Sequence, residues 1–191
     1  GRVSAPHIID RPLFWPTNSL RLIAIGPFMS ALTHATPAKT DTDPSQSDLG
    51  VARRVLAQAG TGLVMMASEL GEEFIQCVSL IAGLEGRLIV SGMGKSGHIG
   101  QKIAATLAST GTPAFFVHPA EASHGDLGMI SDGDAVLALS NSGETLELSD
   151  LVSYTRRFGI PLIGMTGKCQ SALAEQSDIV LALPEVGEAG P

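Results

Sequence analysis

Arg87–Gly100 reads RLIVSGMGKSGHIG, and this stretch decides the fold. Leu88, Ile89 and Val90 form a short apolar run bounded by glycines, the pattern of a buried parallel strand. Gly92, Gly94 and Gly97 then allow a sharp backbone turn that leaves N–H groups uncovered. From His98 the spacing of Ile99, Ile103 and Leu107 is helical. The stretch is therefore expected to run strand, glycine loop, helix. The first N–H groups of a helix lack partners and carry about half a positive charge. Such a junction suits an anion, most simply a phosphate, and Lys95 adds a full positive charge.

Four more strand signals follow, most of them separated by stretches expected to hold helices of 10–13 residues. They are Ala114–His118, Asp134–Leu139, Pro161–Thr166 and Ile179–Leu183. This alternation predicts an α/β fold with a five-stranded parallel sheet, right-handed crossovers and helices on both faces. The expected order is the flavodoxin-like 2-1-3-4-5, and ligands in such sheets sit outside the carboxyl ends of strands one and three, where the order switches. Upstream, Ser47 or Asp48 caps a first helix, long or broken, through Gly60 and Gly62. A second helix near Glu72–Ala82 is expected to turn Phe74, Ile75, Val78 and Ile81 inward. The stripes on both helices read as packing, within the domain or against a second subunit.

The composition agrees. The chain has 191 residues, 44% of them hydrophobic and few aromatic, enough for one domain with an aliphatic core. A net charge of −7 argues against nucleic acid as a partner. Cys77 and Cys169 lie far apart and in no metal-ligand spacing, as free thiols of a reducing cytosol do. No apolar run reaches the ~20 residues that span a bilayer, so no membrane partner is expected. Residues 1–46 hold Pro6, Pro12, Pro16, Pro27, Pro37 and Pro44 and read as a poorly ordered extension. Residues 47–191 form the folded domain.

Gly92–Gly97 also matches G-x-G-x-x-G, the dinucleotide fingerprint. That site needs an acidic residue at the end of the second strand, which here ends in His118 with Glu121 three residues beyond. A Walker A loop fails because its first glycine would fall at Ile89. The third strand runs into Ser140-Asn141-Ser142-Gly143-Glu144-Thr145 and then a helix. Three hydroxyls, a glycine and a helix N-terminus at one strand end suit a phosphate monoester. The pattern thus holds two anion-suited loops flanking the expected switch point.

GMGKSGHIG, STGTPAFFVHPAEASHGDLGMI and SNSGET together resemble the sugar isomerase (SIS) domain family. More narrowly they resemble its arabinose-5-phosphate isomerases. The resemblance runs from about Asp48 to the last residue. It implies a three-layer αβα sandwich and a phosphosugar ligand. It also implies aldose–ketose isomerisation of D-arabinose 5-phosphate and D-ribulose 5-phosphate through an enediol, supplying Kdo for lipopolysaccharide. That chemistry needs a base, an acid and a group that stabilises the enediolate oxygen. By resemblance the catalytic positions are Lys95, Glu147 and Glu188. Ser140, Ser142 and Thr145 match the phosphate contacts, and His124 matches a position lining the site. Gly94, Ser96, Asn141 and Gly143 complete the expected substrate-binding set. Residue types alone leave open whether Lys95 pairs with the phosphate or acts in catalysis, and which group abstracts the proton.

No cofactor and no metal are expected. The resemblance implies a cytoplasmic homo-oligomer, a tetramer. Family members continue past the position of Glu188 with a helical segment that carries a further functional histidine, and many add a pair of CBS modules. This sequence ends at Pro191, so weak phosphosugar binding and poor turnover are expected of the chain as it stands. Two rival readings use the same loops: an isomerase of another phosphosugar, and a non-catalytic phosphosugar-binding module.

Overall fold

The computed structural model describes residues 47–187. The expectations for residues 1–46 and for Glu188 lie outside them. A parallel sheet in the order β2-β1-β3-β4-β5 forms the centre. Its strands are β1 (Leu88–Gly92), β2 (Ala114–Phe116), β3 (Ala135–Leu139), β4 (Leu162–Thr166) and β5 (Ile179–Ala182). The helices are α1 (Asp48–Glu69), α2 (Glu72–Ala82), α3 (Gly94–Ser109), α4 (Pro119–Ser123), α5 (Ser149–Phe158) and α6 (Ala172–Gln176). The expected α/β class and strand order both hold.

Successive side chains of a strand point to opposite faces, so each central strand feeds two cores. Ile89, Val136, Ala138 and Leu162 pack with Ala122 of α4, Leu151 of α5 and Leu173 of α6. Leu88, Val90, Leu137, Leu139 and Ile163 pack on the other face with Cys77 of α2 and Ala104 of α3. β1 and β3 are buried along their whole length, which explains why Leu88–Val90 and Ala135–Leu139 are continuous apolar runs rather than alternating ones; the buried Ser91 hydroxyl of β1 donates to the Val117 carbonyl at 2.8 Å. Burial also pushes the Cys77 thiol pKa up.

Several expectations are corrected. α3 begins at Gly94, not His98, so the glycine stretch is mostly the first turn of the helix. Ile99 is 57% exposed, and the buried face of α3 is Gly97, Gly100 and Ala104. The helix lies too close to the sheet for larger residues: a Cβ at Gly100 would sit 3.1 Å from the Phe116 ring. Phe74, Ile75 and Val78 of α2 are exposed; Ile81 faces the core as expected, joined there by Cys77 and Leu80. α1 is continuous, with the Ser47 hydroxyl accepting from the Gly50 N–H at 3.1 Å, yet Leu56, Leu63 and Val64 stay exposed. α4 and α6 have only five residues each, half the expected length.

The amino ends of β1 and β3 are clamped by one carboxylate. Asp134 accepts from the Arg87 N–H at 2.7 Å and the Ser131 N–H at 2.9 Å, and pairs with the Arg87 guanidinium at 3.3 Å. A Cβ at Gly86 would overlap this carboxylate, so the turn before β1 needs glycine. The Asp134 side chain is 1% exposed. Burial acts to raise its pKa, but the hydrogen bonds from Ser131 and Arg87 outweigh it and hold the carboxyl below the usual range.

Removing this clamp strands a guanidinium and two amides, so Asp134→Ala should cost about 2–4 kcal/mol in urea unfolding. The folded-state pKa is the depressed one. The stabilisation is therefore complete above the unfolded value of about 3.9 and is lost as pH falls through the folded value. The gap between parent and variant should close on acidification below that point; a gap constant down to low pH would contradict the clamp.

Candidate functional site

Gly92 of β1 pairs with Leu139 of β3. The chain segments that leave these two strands therefore start about 5 Å apart. β1 runs through Met93 into α3, and β3 runs into Ser140–Thr145. On the far side of β1, the exit of β2 carries His118, α4 and His124. All three segments rise from the carboxyl edge of the sheet, where the strand order reverses.

The first turn of α3 is pressed onto the end of β1. The Gly97 N–H donates to the Met93 carbonyl at 3.3 Å, and a Cβ on Gly97 would lie 2.6 Å from the Gly92 carbonyl oxygen. Gly94 has φ +56°, a conformation that glycine adopts without strain. Met93 precedes the helix and provides no side-chain cap, and Lys95 is exposed on this first turn with Ser96 half-buried beside it. The turn thus presents a helix N-terminus and a lysine at the switch point.

The Ser140–Thr145 segment folds on itself. The Ser140 and Thr145 hydroxyls are hydrogen-bonded at 2.7 Å, and the Ser140 hydroxyl accepts from the Gly143 N–H at 3.0 Å. The Ser142 hydroxyl accepts from the Glu144 N–H at 3.2 Å. Ser140 is buried, Thr145 half-buried, and Asn141 and Ser142 exposed. Whichever way the Ser140–Thr145 bond points, one hydrogen of the pair is left to donate outward.

The segment does not enter a helix directly, as expected; a 3-10 turn, Leu146–Leu148, intervenes and carries Glu147 on its exposed side. Glu147 and Lys95 therefore rise from adjacent strand exits, β3 and β1. His124 stands at the C-terminus of α4 and is exposed, while the His118 Nδ1 accepts from the Ala120 N–H at 3.3 Å and caps that helix. Among the described residues, no three His, Cys, Asp or Glu side chains are grouped to hold a metal ion.

The β4–α6 connection backs the hydroxyl-rich segment, and sequence reading assigns it no role. The Gly167 N–H donates to the Asn141 carbonyl at 3.1 Å, the Leu173 N–H to the Gly143 carbonyl at 3.0 Å, and the Ala172 N–H to Glu144 Oε1 at 2.9 Å. Gly143 has φ +68°, and a Cβ there would overlap the Ser171 hydroxyl. These partners are 26–30 residues apart in sequence, so no local pattern signals them; only the adjacency of β3 and β4 brings them together. Past β5, Pro184–Gly187 runs beside Asn141 and Lys168, and the Lys168 ammonium pairs with Glu185. Hydrogen bonding to that ammonium holds the Glu185 carboxyl below its usual range.

Residues 84–190 match the SIS domain model. Together with the sheet order and the paired loops, this places the chain in the SIS domain family. Over 140 residues, 73% of this chain, it is 50% identical to arabinose 5-phosphate isomerase KdsD of Pseudomonas aeruginosa, covering 43% of that protein. With the KdsD of Yersinia pestis the identity is 46% over 151 residues, 79% of this chain and 46% of the relative. The chain thus spans less than half the length of these relatives. Among solved structures, it is similar to E. coli CFT073 c3406 in complex with A5P. The TM-score is 0.71 at 36% identity, covering 74% of this chain and 76% of that one. A sugar-phosphate isomerase structure from Listeria monocytogenes, described there as putative, superposes with a TM-score of 0.72 at 27% identity, covering 75% of each chain.

The contact of α3 on β1 makes a sharp prediction. Gly97→Ala forces the helix off the strand and should destabilise the domain by about 1–3 kcal/mol in denaturant unfolding. Gly94→Ala meets open space and carries only the left-handed backbone penalty, about 1 kcal/mol. Equal effects of the two would show that the close approach is not the constraint.

Proposed function

We propose that this chain is the phosphosugar-binding and catalytic domain of an aldose–ketose isomerase acting on D-arabinose 5-phosphate and D-ribulose 5-phosphate. One observation carries the reading. Two elements suited to an anion, the first turn of α3 with Lys95 and the hydroxyl-rich Ser140–Thr145 segment, leave from the register-paired ends of β1 and β3. The similarity to proteins named arabinose 5-phosphate isomerase, and to a structure solved with A5P, supports the same substrate.

In this reading the phosphate is held by Ser140, Ser142 and Thr145, with the backbone of Gly94, Ser96, Asn141 and Gly143 shaping its cradle. A carboxylate, Glu147 or Glu188, takes the proton from C2 of the open-chain aldose as the C1 oxygen gains one. The cis-enediol then loses the proton on its C2 oxygen while C1 is protonated, giving the ketose. Lys95 stabilises the enediolate oxygen as charge develops on it. His124 lines the sugar side. The reaction needs no cofactor, since no electrons leave the substrate.

The proposal extends to a cytoplasmic enzyme that self-associates and supplies lipopolysaccharide sugar synthesis. Exposed apolar residues on α1 and α2, Leu56, Leu63, Val64, Phe74, Ile75 and Val78, support a second copy as the partner of that face.

Ser142→Ala removes a charge-assisted hydrogen bond and should weaken arabinose 5-phosphate binding by roughly 1.5–3 kcal/mol in calorimetry. Unchanged affinity would sink the phosphate site. In a full-length version, carried on past Pro191 as its relatives are, Lys95→Met should lower turnover about 100-fold or more in a ribulose 5-phosphate assay, with a much smaller change in affinity. Lost affinity with surviving turnover would make Lys95 a phosphate ligand. Tight binding without turnover in that full-length version would return the non-catalytic module, and turnover of a different phosphosugar the other isomerase reading.

A further inference from the structure

The hydrogen bonds among Ser140, Ser142, Gly143, Glu144 and Thr145 give the segment its shape but do not fix its place on the sheet. Its place is set from outside, by the β4–α6 connection. Two of the ties described above are backbone to backbone, from Gly167 to Asn141 and from Leu173 to Gly143. The third is made by a side chain: Glu144 Oε1 accepts from the Ala172 N–H at 2.9 Å. β4 adds two ties, from the Thr166 hydroxyl to the Asn141 carbonyl at 3.4 Å and from the Ser140 N–H to the Met165 carbonyl at 3.0 Å, but among the described residues Glu144 is the side chain of the segment itself that reaches another element.

Consecutive N–H groups of the first turn of α6, those of Ala172 and Leu173, are thus both engaged by the segment. Ser171 completes the seam. Its hydroxyl donates to the Lys168 carbonyl at 2.7 Å, accepts from the Ala174 N–H at 3.4 Å, and fills the space where a Cβ on Gly143 would stand. The arrangement also answers an electrostatic difficulty. A carboxylate within a segment that holds a phosphate repels it. Drawn to the amides at the start of α6, the Glu144 charge is satisfied there by a donor of its own.

We infer that Glu144 is a positioning residue that clamps the Ser140–Thr145 segment to the start of α6, and that it acts on the phosphate only through Ser140, Ser142 and Thr145. The link to ligand binding rests on the function proposed above; the clamp itself does not. A ligand-holding group is effective only when held within about half an ångström of its working place, and an irregular segment reaches that precision through such external ties.

The test compares Glu144→Ala with Glu144→Gln, which keeps the accepting oxygen and loses the charge. Two readouts are taken: amide hydrogen exchange, and calorimetric affinity for D-arabinose 5-phosphate. Glu144→Ala should speed exchange at Ala172, which loses its acceptor, and at Leu173 by roughly five- to tenfold and weaken affinity by a similar factor. The amides of β1 and β3 should be unaffected. Glu144→Gln should restore both readouts to near the parent values. Unchanged exchange in Glu144→Ala overturns the clamp, as does a Gln variant as impaired as the Ala one, which would place the effect in the charge. If the parent chain fails to bind the phosphosugar, the functional reading falls, and the exchange data alone still decide the clamp.

Discussion

The close contact between α3 and the end of β1 is the constraint on which the rest depends. Gly97 lies against the Gly92 carbonyl, and Gly100 against Phe116 and Val90. Only residues without a Cβ allow a helix to start so near a strand end. That nearness sets the positive end of α3, with the exposed Lys95 on it, at the carboxyl edge of the sheet. It also explains why the buried face of α3 is glycine and alanine while its larger apolar residues diverge. Ile103 and Leu107 reach the core further along the helix, and Ile99 is left exposed. The same glycines therefore serve packing and site at once, and a dinucleotide reading of them is unnecessary: the spacing answers to backbone contact.

The sheet supplies the second half of the site through adjacency. Because β3 pairs directly with β1, the α3 turn and the hydroxyl-rich segment start as neighbours. At the opposite edge Asp134 ties Arg87 and Ser131, so the register of β1 on β3 is held at its amino end by a charged clamp and along its length by burial. A slip of one residue would turn the side chains of the slipped strand to the opposite faces and offset the paired exits. The site is thus fixed by interactions that lie a full strand length away from it.

Much of this was legible in the sequence, and the limits have a physical cause. The five strands were visible because buried parallel strands are uninterrupted apolar runs, and Leu88–Val90 and Ala135–Leu139 are of that kind. Alternation of elements implied only a parallel sheet with crossovers; the order, expected as flavodoxin-like by analogy, is the one the sheet has. The helix start was misjudged because apolar periodicity sees only large side chains, and the first two turns of α3 pack through Gly97 and Gly100, which carry none. The inward face of α2 was misjudged for the related reason that Phe74, Ile75 and Val78 are as apolar as the residues that do pack, so hydrophobicity alone could not choose between them. The hydroxyls of Ser140, Ser142 and Thr145 were visible, whereas the support from Thr166–Leu173 was not. It depends on backbone amides, which every sequence has, aimed by tertiary structure that no local pattern encodes.

That last point bears on how such a site is built. The groups expected to meet the ligand lie on irregular backbone, where side-chain identity determines the chemistry but not the position. Position comes from the neighbouring strand exit. β4 pairs with β3 from Val136↔Leu162 to Leu139↔Met165, so the connection after β4 emerges beside the segment after β3. Its amides then find the carbonyls of Asn141 and Gly143. Two strand exits along the carboxyl edge are therefore braced by the next: β3 by β4, and β4 by the chain after β5, where the Leu183 N–H donates to the Thr166 carbonyl and Lys168 meets Glu185. Regular pairing within the sheet is carried past the ends of the strands as a series of side-by-side contacts. Irregular segments can hold fixed geometry there because the sheet beneath them does.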